Sequence, residues 1–116
     1  MLSFKNAQQI SEVSLLDRAF HYGDGCFSTA RVRHGKIELE NLHMARLGFS
    51  CERLLLQADL KVIQKSLVLL QQQYLAVNGT LKIVISRGDG QRGYSLPDHP
   101  ADVWVFFYPK AVDNFQ

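Results

Sequence analysis

The sequence predicts an α+β fold: a mainly antiparallel sheet with two helices packed on one face. Three observations carry this. Segments 26–34 and 80–86 alternate in polarity with the period of two of a half-buried strand. Leu60, Ile63, Leu67, Leu70 and Tyr74 recur at three- and four-residue spacing, one apolar stripe along a helix. The elements run strand, strand, strand, helix, helix, strand, strand, an order that segregates helices from strands.

Leu2 to Lys5 reads as a short opening strand, followed by a loop-like stretch to Asp17-Arg18. In the second strand Cys26, Ser28, Ala30 and Val32 face one way, and Phe27, Thr29, Arg31 and Arg33 the other. His34-Gly35-Lys36 is a tight turn with Gly35 left-handed, and Ile37 to Leu39 returns as the hairpin partner. Asn41 is expected to cap the first helix, with Leu42, Leu47, Leu54 and Leu55 as its buried face. Asp59 caps the second helix, which Asn78-Gly79 ends. Thr80 to Ser86 turns Leu81, Ile83 and Ile85 inward. Arg87 to Pro100 is a long Gly- and Pro-containing loop without periodicity, of the functional kind. Asp102 to Tyr108 is apolar enough for a central strand.

Length and composition narrow the class. The 116 residues fit one α+β domain spanning 1–116. Thirteen basic against eleven acidic side chains leave no basic excess for nucleic acid and no polybasic membrane anchor. No apolar run reaches the roughly 18 residues of a membrane span, and Met1 to Ile10 lacks a signal pattern. Cys26 and Cys51 lack zinc-ligand spacing; they read as buried free thiols of a cytoplasmic protein, and no metal is expected. Lys110 to Gln116 follows a buried strand without a capping element, as at a linker joining a further domain.

Three segments carry candidate chemistry. Asp17-Arg18-Ala19-Phe20-His21-Tyr22-Gly23-Asp24-Gly25-Cys26-Phe27 places two glycines before a strand, where backbone can approach a ligand closely. His43-Met44-Ala45-Arg46-Leu47 sets an arginine near a helix N-terminus, a favourable place for an anion. Ser86-Arg87-Gly88-Asp89-Gly90-Gln91-Arg92-Gly93-Tyr94-Ser95 can present guanidinium groups and a phenol to a carboxylate. Taken singly, each also reads blandly: a turn, a solvated arginine with a partly buried histidine, an exposed loop. No Gly-Lys-Ser/Thr follows, so the third is not a Walker loop.

In this order the segments resemble the N-terminal domain of the fold type IV pyridoxal-phosphate enzymes, the branched-chain and D-amino-acid aminotransferase family. The resemblance runs from about Leu16 to Tyr108. Gly-Asp-Gly-Cys-Phe-Ser-Thr-Ala-Arg-Val (23–32) and Gly-Gln-Arg-Gly-Tyr-Ser (90–95) are similar to the carbon–oxygen lyase branch; the D-amino-acid enzymes resemble a pattern with His near Tyr94. The resemblance implies pyridoxal 5'-phosphate as cofactor, with Arg46 on its phosphate. It implies that Arg92 and Tyr94 face a small-molecule substrate's carboxylate, that Phe27 and Tyr22 line the pocket, and that the full-length protein is a homodimer. The family's Schiff-base lysine belongs to a C-terminal domain, and none of Lys5, Lys36, Lys61, Lys65, Lys82 and Lys110 matches it. This chain alone is therefore expected to be inactive and to bind the cofactor weakly or not at all. The rival from another class is a non-catalytic module that binds an anion or a partner.

Overall fold

The computed structural model describes residues 2–11, 25–87 and 100–110. Six strands form one sheet in the order β2-β1-β6-β5-β3-β4, every neighbouring pair antiparallel. They are β1 (Leu2–Lys5), β2 (Gln8–Ile10), β3 (Gly25–Arg33), β4 (Lys36–Ile37), β5 (Gly79–Ser86) and β6 (Asp102–Pro109). Two helices, α1 (Glu40–Leu54) and α2 (Lys61–Gln73), lie between β4 and β5 in sequence. The core joins Ala30, Val32, Leu81, Ile83, Ile85, Val103, Val105 and Phe107 of the sheet to Leu47, Cys51, Ile63, Leu67 and Leu70 of the helices. Both helices therefore cover one face, as the sequence predicts. The alternation of β3 and β5 faces as expected, and β6 lies inside the sheet between β1 and β5.

The structure adds β2, which falls in the stretch read as loop. Asn6 and Ala7 both take left-handed backbone, the conformation of a two-residue hairpin turn, and return the chain along β1. His34-Gly35 makes the same kind of turn between β3 and β4. Gly35 is favoured there by its left-handed backbone, with φ at +76°. A β-carbon would meet the end of the Gln71 side chain, which is free to move aside.

Four sequence expectations are corrected. The return strand ends at Ile37, because Leu39 turns left-handed to launch α1. Asn41 does not cap that helix: His43 N–H already bonds the Leu39 carbonyl at 3.0 Å, so Asn41 lies inside the first turn. The buried face of α1 is Leu47 and Cys51 with Met44 packed beside them, a stripe that Leu42 misses. Leu42, Leu54 and Leu55 are 44%, 40% and 84% exposed. The helix ends in a Schellman motif: Leu55 N–H bonds the Glu52 carbonyl at 3.2 Å and Leu56 N–H that of Cys51 at 2.8 Å. That turn throws Leu55 outward and buries Leu56. Lastly, α2 stops at Gln73, where Tyr74 becomes extended, not at Asn78-Gly79. Gly79 instead opens β5, and Asn78 Oδ1 accepts from His34 N–H at 2.8 Å.

The second helix otherwise follows its pattern. Asp59 Oδ1 accepts the Lys61 N–H at 3.0 Å. Ile63, Leu67 and Leu70 are buried, and Leu60 and Tyr74 pack at the margins of the core. The Tyr74 ring meets Phe107 edge-on at 5.4 Å.

Candidate functional site

The three motif segments meet through β3. Gly25 opens β3 directly opposite Ser86, which closes β5, and Ser86 lies opposite Asp102, which opens β6. The end of the first segment and the start of the third are thus neighbours at one end of the sheet, 61 residues apart in sequence (86 − 25). A β-carbon at residue 25 would run into the Ile85 backbone carbonyl, so only glycine allows this approach. The second segment joins through a side chain. Ser28 Oγ and His43 Nδ1 lie 2.7 Å apart in a part-buried hydrogen bond between β3 and α1. Arg46 follows one turn later, exposed, with no hydrogen bond or ion pair to any described residue.

Phe27 sits on the face of the sheet opposite α1 and α2, 68% exposed. Lys82 Nζ stands 5.3 Å from its ring centroid, a cation–π contact. Trp104, paired with Val84 in register, and Phe106 occupy the same face, stacked at 6.1 Å with an 8° interplanar angle. Lys5 Nζ is 5.3 Å from the Trp104 ring and 3.6 Å from the Asp102 carboxylate. The Asp102 carboxylate also accepts from Asn6 Nδ2 at 3.0 Å. Helical side chains cover one face of the sheet; this other face carries aromatics and cations.

Arg87 follows the buried Ser86 and turns to α1. Its guanidinium donates to the Leu54 carbonyl at 2.6 Å and the Leu55 carbonyl at 3.4 Å. A cation on the last carbonyls of a helix satisfies groups that lack intrahelical partners and suits the helix dipole. The sequence had no way to assign Arg87 this role.

Cys26 and Cys51 are free thiols facing each other between β3 and α1. Burial, then the neighbouring Cys51, push Cys26 up to about 12; burial also raises Cys51. Neither is a thiolate near neutral pH, so neither is an activated nucleophile. The described residues contain no group of three metal-ligating side chains.

Of the site residues read from sequence, Phe27 and Arg46 are placed as above. Tyr22, Arg92 and Tyr94 lie outside the described residues, as does the loop over 88–99. The sequence reading missed the Ser28–His43 bond and the Lys82–Phe27 contact. Both rest on pairing across elements; alternation shows only that Phe27 and Lys82 each face away from the core.

An antiparallel sheet backed by two helices, with a glycine-led strand paired to the serine–arginine end of its neighbour, defines a class. Residues 25–114 match the family model Amino-transferase class IV, and the chain belongs to that family. Among curated proteins it is 36% identical over 88 residues to an aminodeoxychorismate lyase of Vibrio harveyi, covering 73% of this chain and 31% of that protein. It is 29% identical over 111 residues to a D-alanine aminotransferase of Staphylococcus epidermidis, covering 92% and 39%. Among solved structures, 4-amino-4-deoxychorismate lyase from Pseudomonas aeruginosa aligns with a TM-score of 0.82 at 31% identity, over 95% of this chain and 40% of that one. The branched-chain amino acid aminotransferase of Escherichia coli shares the fold at a TM-score of 0.73 and 18% identity. The chain thus spans between 31% and 40% of the length of these first relatives.

Proposed function

We propose that this chain is the N-terminal domain of an aminodeoxychorismate lyase. The whole enzyme converts 4-amino-4-deoxychorismate to 4-aminobenzoate and pyruvate, a step of folate synthesis, in the cytoplasm and as a homodimer. The single observation that carries the reading is the meeting of the three motif segments at β3, through the Gly25–Ser86 pairing and the Ser28–His43 bond. The 36% identity to the Vibrio harveyi lyase supports it.

The residues present fit pyridoxal 5'-phosphate. Arg46 offers an exposed guanidinium without a carboxylate partner among the described residues; as the seventh residue of α1 it stands past the first turn, so its own charge, and not the helix dipole expected from sequence, carries the fit. When bound, the cofactor supplies an electron sink for bond cleavage next to the substrate nitrogen. The chain's own contribution is binding and orientation. Arg46 holds the phosphate, and the Ser28–His43 bond ties α1 to β3 one turn before it. Phe27 presents an apolar wall, with Lys82 keeping a positive charge beside it. Arg92 and Tyr94 are proposed to hold the substrate carboxylate, with Tyr22 lining the same pocket.

None of the six lysines is proposed as the Schiff-base residue. Lys5 is engaged with Asp102 and Trp104, and Lys82 with Phe27. The purified 116-residue chain, given cofactor and substrate, is expected to form no 4-aminobenzoate, and formation would overturn this. A longer protein containing the chain is expected to release pyruvate without an amino acceptor. Amino transfer to a keto acid instead would favour a second reading, a D-amino-acid aminotransferase. The longer alignment to the Staphylococcus enzyme, 111 residues against 88, speaks for that reading.

A further inference from the structure

The helix-facing side of β3 carries a feature that the proposed function leaves unused, the two cysteines. Cys26 is half-buried on β3, in register with Ile85, and Cys51 is buried in the last turn of α1. Their thiols share a hydrogen bond. Both backbones are fixed independently of that bond. Cys26 lies in the β3–β5 ladder, and the Cys51 carbonyl accepts the Leu56 N–H at 2.8 Å. A second contact agrees with the alignment of the two elements: Ser28, two residues along β3, meets His43 near the start of α1 at 2.7 Å. Strand and helix thus run side by side in opposite senses, and the fold itself brings the thiols together.

Access is from the helix. Cys51 lines a pocket of about 480 Å³ with Gly48, Leu56, Ala58 and Leu60. Gly48 stands one turn before Cys51, the direction in which helical side chains lean. A β-carbon there would meet nothing within 4 Å, so no described residue fills that approach to the thiol. The two thiols differ in role. Burial raises both, and the shared hydrogen bond raises Cys26 further but lowers Cys51. The proton of that bond therefore belongs to Cys26, and the Cys51 sulfur accepts it. Cys51 is both the thiol that ionises more readily and the one that lines the pocket.

We propose that Cys26 and Cys51 are a reactive dithiol that takes up a small disulfide and closes into a disulfide bond of its own, clamping β3 to α1. Cys51, its proton lost to solvent, attacks one sulfur of the small disulfide. That S–S bond breaks, and one small thiolate leaves and takes up a proton. Cys26 then gives up its proton and attacks the Cys51 sulfur of the mixed disulfide, expelling the second small thiol. Two protein thiols are oxidised, and one small disulfide is reduced to two thiols. The first step is slow at neutral pH, because burial keeps the thiols protonated. The second is fast, because its partners are already in contact. The inference goes beyond the function proposed above, where no role falls on a thiol.

The test treats the 116-residue chain with bis(hydroxyethyl) disulfide and mercaptoethanol at mildly alkaline pH, and reads the products by mass spectrometry after an acid quench. The chain is expected to lose two hydrogens and to yield peptides in which Cys26 is linked to Cys51, with no mixed disulfide accumulating. At a fixed ratio of the two reagents, the proportion of disulfide to dithiol should be at least tenfold higher in the folded chain than in the same chain unfolded in urea, since only the fold holds the thiols together. Cys26→Ala should stop at a mixed disulfide on Cys51. Cys51→Ala should react at Cys26 at least tenfold more slowly than that. Two separate mixed disulfides, a disulfide between two chains, an equal proportion in urea, or Cys26 reacting as fast as Cys51 would each overturn the proposal. The comparison of folded with unfolded chain needs no variant to fold. Lyase activity enters none of these readouts, so the two proposals fail separately.

Discussion

The two helices cover the same sheet face yet are built differently. α2 is a core element. Its start is set by Asp59, its apolar residues fall on one stripe, and Ile63 and Leu70 are wholly buried. α1 buries less, only Leu47 and Cys51 fully, and it enters and leaves through left-handed leucines, Leu39 and Leu55. It is held from outside, by Ser28 on His43 near its start and by Arg87 on its last carbonyls. The difference teaches that α2 stabilises the domain while α1 is positioned by it. A helix tethered at both ends by polar contacts presents Arg46 at a defined place, whereas an amphipathic stripe alone would set only a face.

The largest test of this contrast is Leu70→Ala in α2. It should cost about 2–5 kcal/mol through lost burial and a residual cavity. Leu42→Ala in α1, at an exposed site, should stay within about 0.5 kcal/mol. Denaturant melts of both variants check the pair, and equal losses would break the comparison.

Alkaline pH should strain the α1 side by a smaller amount. The folded state holds Cys26 protonated up to about 12, whereas the unfolded chain releases that proton near 9.0. The unfolded state then binds fewer protons, so stability is full below pH 9.0 and falls as pH rises toward 12. Cys26→Ala should flatten that part of the pH profile in thermal melts; an unchanged slope would show that the thiol is not its source.

Ser28→Ala should cost about 1 kcal/mol, the net worth of one hydrogen bond. Its amide-exchange signature should be confined to β3 and the first half of α1. Protection lost equally in α2 would contradict the tether.

The smallest effect is a gain. Leu55 pays for a left-handed backbone with almost no burial, 84% of its surface being exposed. Leu55→Gly should stabilise the domain by about 1 kcal/mol. A drop in melting temperature would mean that the Leu55 side chain contributes where none of its contacts suggests it.

Much of the fold was legible before the structure. Alternation in β3, β5 and β6 and the stripe of α2 are local patterns, and side-chain direction follows from the backbone period alone. α1 was the failure. Its leucines at 42, 54 and 55 read as core because apolar residues were counted without their angular positions, while the thiol of Cys51 was the true inward group. For the candidate site, the sequence marked Phe27 and Arg46 by resemblance. It could not reveal Ser28 with His43 or Lys82 with Phe27, since each depends on which strand or helix lies alongside.

The sequence by itself determined β1, β3, β5 and β6 as strands and the existence of both helices, though not β2 or the element ends, and it determined which face of β3, β5, β6 and α2 goes inward. These follow from interactions between residues two to four apart. Tertiary structure alone decided the β1–β6 and β3–β5 registers, the left-handed ends of α1, and the employment of Arg87 as a helix clasp. Each is a contact across 30 or more residues or a backbone strain that only surrounding packing can hold, and no local pattern encodes either.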